Sequence, residues 1–181
     1  MIGFFFRNQH SKSFNVVSME DAHRPLLPEL RENRYTINGR HGTVSFGGET
    51  YTTRQITVDI AFISDNIANL QNLSRDIALW LTGEGLLYFD DEPTKAYDAK
   101  VYQKIDTEQL IRFKRASIVF ECQPFAKSIH FLQEVQNGVR NGHTMSIESH
   151  GTQPTPPIIA ITNTGTTNMS NIRITRRALN R

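Results

Sequence analysis

The chain has 181 residues, 38% apolar and 21% charged, the balance of a folded soluble protein, and is long enough for one core or for one core and part of a second. A net charge of +2 is too small to argue for nucleic-acid binding on its own: Lys and Arg are spread along the sequence, and the one basic cluster, Arg173, Arg176, Arg177 and Arg181, lies at the very end, where a solvated end is expected. A single cysteine excludes an internal disulfide, so the fold does not depend on an oxidising compartment.

In chain order, the opening ten residues are apolar around Gly3 and then polar. They are too short for a signal peptide's apolar region and lack its basic lead. No run approaches the ~20 apolar residues of a membrane helix, so a chain made and folded in a cytoplasm is expected. Residues 14–17 are a short strand. Residues 34–38 place Tyr35 and Ile37 on one face, Asn38-Gly39 and His41-Gly42 turn the chain, and residues 43–46 return with Val44 and Phe46 alternating. Residues 51–63 form a long strand, with Ile56, Val58, Ile60 and Phe62 on a buried face and Gln55, Thr57, Asp59 and Ala61 on a wetter one.

A helix follows. Ser64-Asp65 supplies N-cap chemistry, and Ile67, Leu70, Leu73 (or Ser74), Ile77 and Leu81 recur at helical spacing. Gly83 stands where a helix end needs a left-handed residue, and Trp80 is expected to anchor the helix on a sheet. Further strands are read at residues 86–89 and 96–105, around Ile111 and Phe113, and at residues 118–122, where Cys122 is a small buried hydrophobe and not a reactive thiol. Residues 137–156 are rich in Asn-Gly and Pro, and beyond Asn141 only three short runs, 144–148, 158–162 and 171–175, read as strands. The order is mainly β with one principal α-helix: an antiparallel, β-sandwich-like N-terminal domain over residues 1–136, a linker region over 137–157, and over 158–181 the opening strands of a shortened or partner-completed β domain.

Candidate chemistry is sparse. Asp90, Asp91 and Glu92 are the sharpest acidic cluster. Adjacent residues at a strand end point in opposite directions, so they do not make a glycosidase pair, and Pro93 closes the turn too early for a calcium loop. A solvated turn or a subunit contact is expected. Six scattered histidines form no metal-ligand pair, and residues 39–48 are glycine-rich but lack the lysine and following helix of a phosphate loop. No enzyme and no cofactor or metal are expected. Arg24, Pro25, Leu26, Leu27 and Pro28 form an extended segment with apolar side chains to cover, lying either on its own core or as a strap on a neighbour.

Residues 74–100 (SRDIALWLTGEGLLYFDDEPTKAYDAK), 24–46 (RPLLPELRENRYTINGRHGTVSF) and 121–128 (ECQPFAKS) together resemble the distal tail proteins of long-tailed bacteriophages, over roughly residues 4–128. The resemblance implies a structural protein, six copies of which form a ring at the tail tip. One ring face would meet the tail tube and the other the tail-associated hub protein, near receptor-binding proteins, with a lumen that passes DNA. Assembly would take place in the host cytoplasm, without membrane insertion or sequence-specific nucleic-acid binding. The candidate interface residues are Arg24, Pro25, Leu26, Leu27 and Pro28, with Asp90, Asp91 and Glu92. The rival is a carbohydrate-binding β-sandwich for attachment to a host cell. Such a module exposes aromatic platforms, whereas the one tryptophan here is placed on the helix.

Overall fold

A computed structural model describes residues 3–19, 22–45, 50–63, 67–103, 105, 113–130, 132–140, 142–148, 151–175 and 177, with helix side chains from residue 72 onward. The chain divides into two compact units, Met1–Leu132 and Gln133–Arg181. The first holds every strand found among the described residues.

The strands are β1 (Phe4–Phe6), β2 (Gln9–His10), β3 (Val16–Ser18), β4 (Leu30–Arg31), β5 (Arg34–Thr36), β6 (Thr43–Ser45), β7 (Thr50–Tyr51), β8 (Arg54–Phe62), β9 (Glu84–Phe89), β10 (Lys95–Val101), β11 (Arg115–Cys122) and β12 (Lys127–Ser128), with helix α1 (Ile67–Leu81) between β8 and β9. The main sheet runs β2-β1-β9-β10-β11-β8-β3, with β12 paired to β10. Every pairing in it is antiparallel, and it curls into a half-barrel.

The expected alternation along β8 is present. Ile56, Val58, Ile60 and Phe62 are buried, and the intervening side chains are exposed or half-buried. Its partner β11 contributes Ile118, Phe120 and Cys122 to the same core. Each such side chain contributes roughly 1.5–3 kcal/mol on burial. Ile77, Trp80 and Leu81 of α1 pack into this cluster, and Leu73 lies half-buried against it. The side chains of Ile67 and Leu70, and the N-cap residues Ser64 and Asp65, lie outside the described residues. Trp80 does anchor the helix. Its ring stacks on Phe14 at 4.5 Å and Phe4 at 5.6 Å, and Nε1 donates to the Phe6 carbonyl at 2.8 Å. A buried indole N–H needs such an acceptor. Gly83 follows the helix at φ 94°, a conformation that a Cβ disfavours.

Several local expectations shift. The strand expected from Phe14 starts at Val16, because residues 11–14 form a 3-10 turn closed by Asn15 at φ 52°. Phe113 is helical and exposed, not part of a strand, and Ile111 lies outside the described residues. The strands at 34–36 and 43–45 pair as expected, but as a separate two-stranded hairpin with Tyr35 exposed. Phe46 lies outside the described residues. In the second unit, residues 144–148, 158–162 and 171–175 have no strand pairing. Their apolar residues Ile147, Ile158, Ile159, Ile161, Ile172 and Ile174 are exposed.

Candidate functional site: an ion-paired strap and turn

The two candidate segments, separated in sequence, meet in space. His23 pairs with Thr57 of β8 through both backbone groups, at 2.9 and 3.3 Å. Pro25 has no N–H, so the pairing cannot continue. The chain bends away at Leu26 and Leu27, which are 92% and 75% exposed, and resumes pairing at β4, opposite β7. The proline-bounded segment is thus a strap whose leucines are uncovered in the single chain.

The acidic turn joins β9 to β10. The Glu92 N–H donates to the Phe89 carbonyl at 3.1 Å, and the Lys95 N–H donates to the Glu92 carbonyl at 3.2 Å. Asp90 and Asp91 point opposite ways, as neighbours at a strand end do. Asp91 makes an ion pair with Arg24, whose other nitrogen Nη1 lies 3.7 Å from Glu92 Oε2. The Arg24 guanidinium also sits 4.8 Å over the Phe89 ring. The first residue of the strap is therefore tied to two of the three turn acids. Pro25 and Leu26 line the depression between them, about 380 Å³ in volume, while Leu27 and Pro28 stand away from it.

Asp90 faces the chain's start. Its Oδ2 accepts from the Gly3 N–H at 2.9 Å, and its Oδ1 lies 3.0 Å from His10 Nε2. The Lys12 N–H donates to His10 Nδ1 at 3.0 Å, which leaves the Nε2 N–H to donate to Asp90. Partial burial raises the Asp90 pKa, but the His10 hydrogen bond, the Gly3 amide and the electrostatic pull of His10 and Lys12 outweigh it, and the carboxyl ends below its ordinary value. Gly3 allows this approach: a Cβ there would lie 2.4 Å from the His10 ring and 2.9 Å from Asp90.

One further residue lines the depression. Arg54, the first residue of β8, is in phase with the buried Ile56, Val58, Ile60 and Phe62, and only 9% of it is exposed. Its guanidinium lies 5.4 Å from the centroid of the Tyr97 ring, and Nη1 donates to the Pro124 carbonyl at 3.4 Å. Burial raises the phenol pKa of Tyr97, with Arg54 pulling the other way. Burial pushes the nearby Cys122 thiol up to about 12, so this cysteine stays protonated and unreactive. Arg54 was not singled out from the sequence, although an arginine on the buried phase of a strand is itself a readable signal. His10 was read only as one of six scattered histidines, and Lys12 not at all, because the turn that both meet is remote in sequence, 80 residues away in the case of His10.

Among the described residues, no group of three His, Cys, Asp or Glu could hold a metal, and no helix is long and apolar enough to cross a membrane. What the site offers is fixed charge beside uncovered apolar side chains, the makings of a contact surface. Residues 9–122 match the family model of the phage tail protein RIFT-related domain. The chain belongs to this siphophage tail family. The fold agrees: the SPP1 Dit protein, described as a paradigm of the hub adsorption apparatus in phages infecting Gram-positive hosts, superposes with a TM-score of 0.58 at 18% identity. The match covers 71% of this chain and 52% of that one, so the chain spans about half the length of the SPP1 protein. No curated protein matches the sequence. The resemblance to a siphophage tail protein is thereby borne out, and with it a structural role in the tail, while the SPP1 Dit protein shares the fold.

Proposed function

We propose that this siphophage tail protein assembles as a closed, hexameric ring at the tail tip, joining the tail tube to the hub and adsorption apparatus around a channel for DNA. The observation that carries the reading is the family match over residues 9–122, which spans the half-barrel from β2 to β11. The strap and acidic turn support it. In a closed ring each subunit offers two different patches to its neighbours, and one such patch needs apolar residues to bury beside charges that fix register. Leu26 and Leu27 supply the first, and Arg24 with Asp91 and Glu92 the second. Asp90 lies on the other side of the turn and serves the fold of the single chain. Function carried by surfaces needs no catalytic residue, cofactor or metal.

Light scattering on the purified chain, followed by electron microscopy of negatively stained particles, tests the reading. A ring with a central opening, alone or on addition of tail tube and hub proteins, is the expected result. A chain that stays monomeric with both partners present sinks it.

A further inference from the structure

The Asn-Gly pairs that punctuate the sequence carry a chemistry of their own. Asn38-Gly39 lies at the tip of the hairpin of β5 and β6. The Arg40 N–H donates to the Ile37 carbonyl at 3.1 Å, and Gly39 sits at φ 82°, so the pair fills the central positions of a type II turn. Asn137-Gly138 stands early in the second unit, with Gly138 at φ 68° and no strand pairing around it. Both asparagines and both glycines are exposed, and a Cβ placed on either glycine would meet nothing within 4 Å. Neither glycine N–H has an acceptor among the described residues. The same pair recurs at Asn141-Gly142, where Asn141 lies outside the described residues.

Asparagine is among the chemically labile residues. When the following N–H gives up its proton to a solvent base, the nitrogen attacks the asparagine Cγ. A C–N bond forms, and the side-chain nitrogen leaves as ammonia. Water then opens the five-membered imide at either carbonyl. One opening leaves aspartate, and the other isoaspartate, whose main chain runs through Cβ and Cγ. The balance is one water consumed and one ammonia released, with no oxidant. A following side chain obstructs the attack, and glycine has none. The backbone must also swing to bring the nitrogen to Cγ, which an exposed and unpaired segment does at least cost. Asn15 is the opposite case. Val16 follows it, its N–H donates to the Lys12 carbonyl at 3.0 Å, and its carbonyl accepts from the Ile63 N–H at 3.0 Å.

We propose that Asn137 and Asn38 are sites of spontaneous deamidation and isoaspartate formation, with Asn137 the faster because no hairpin restrains it. Each conversion adds a carboxylate and takes one unit from the formal net charge of +2. Isoaspartate also lengthens the main chain by one carbon. At Asn38 that carbon enters the connection 37–42, which holds Thr36 opposite Thr43. Copies built into a tail are not renewed by synthesis, so the converted fraction rises with the age of the particle. The chemistry does not depend on the ring reading and is tested on the chain alone.

The purified full-length chain is held at neutral and at mildly alkaline pH, sampled over time and digested with trypsin at mildly acidic pH, where the reaction is slow. Asn137 is released in the peptide 128–140, Asn38 in 35–40 and Asn15 in 13–31, so mass spectrometry follows each site separately. Labelling with an isoaspartate methyltransferase separates the two products. The deamidation mass and the methyl label are expected at Asn137 first and Asn38 second, faster at the higher pH, with Asn15 unchanged. Gly138→Ala should slow Asn137 by roughly tenfold or more, about 1.4 kcal/mol of added barrier, while Asn38 in the same molecules keeps its wild-type rate. Absence of conversion at Asn137, or at Asn38, over a time in which a free Asn-Gly peptide converts, overturns the proposal. So does conversion of Asn15 at the rate of Asn137, or a Gly138→Ala chain that converts as wild type does. Conversion of Asn38 ahead of Asn137 overturns the assigned order.

Discussion

Phe120 and Ile158 are both apolar residues in runs that look like strands, and they meet opposite ends. Phe120 lies in β11 between β8 and β10, fully buried, with ring contacts to Phe4 and Phe6. Ile158 is 98% exposed and has no strand partner. The local chemistry does not separate them, since β-branched and aromatic residues are both good strand formers. What differs is the company. The first unit has a helix, a curled sheet and a shared core, and the second has short runs separated by Asn, Gly and Pro. Strand propensity is the ability to fit a half-buried surface, and it becomes a strand only where a facing edge exists.

The sharpest way to break this contrast is the same substitution in both units. Ile77→Asp places a carboxylate in the core beside Trp80 and Leu81, at a cost of several kcal/mol against a total stability of ~5–15. Loss of soluble, cooperatively melting protein is expected. Ile161→Asp, at an exposed position of the second unit, is expected to leave yield and melting temperature as in wild type. Equal yields for the two variants would dissolve the distinction.

Limited proteolysis probes the same contrast in the unaltered chain. Trypsin should cut first at Arg140, within the expected linker 137–157, and leave a resistant fragment containing the half-barrel. Cleavage first at Lys100 or Arg115, inside the main sheet, would reverse the ranking.

The smallest effect concerns the acid limb of stability. The Asp90 carboxyl is depressed in the folded chain, so its contribution is fully present above the unfolded value near 3.8 and is lost as pH falls through the folded one. The side chain is 30% exposed, which limits the gain to about 0.5–1 kcal/mol. Asp90→Asn should lower the melting temperature at neutral pH by ~1–4 °C and flatten its fall below about pH 4. An unchanged acid limb would mean that the turn's tie to Gly3 and His10 does not hold the strand in place.

Much of this was legible in the sequence wherever a short-range rule applied. The period of two along β8, the apolar stripe that ends at Leu81, the glycine stop at Gly83 and the buried character of Cys122 all follow from neighbours a few residues apart. The strap was legible from its prolines and the turn from its acids. Their meeting was not, because Arg24 and Asp91 are 67 residues apart and no period links them. Nor was β1: three phenylalanines are too few to show a period, and their inner place in the sheet comes from β9. The hairpin at 34–36 and 43–45 was legible from its turn residues, but not its separation from the main sheet, which depends on what lies opposite it.

The pairing of β1 with β9 has a consequence for how the chain is made. Phe4 faces Phe89 across the ladder, so although β2 can pair with one edge of β1 at once, the other edge has no partner until more than 80 further residues have been joined to it. At roughly 5–20 residues per second, synthesis leaves that aromatic segment uncovered for on the order of ten seconds. Closure of so long a loop delays folding as well. The interval before Phe89 emerges is when nascent chains are most exposed to one another.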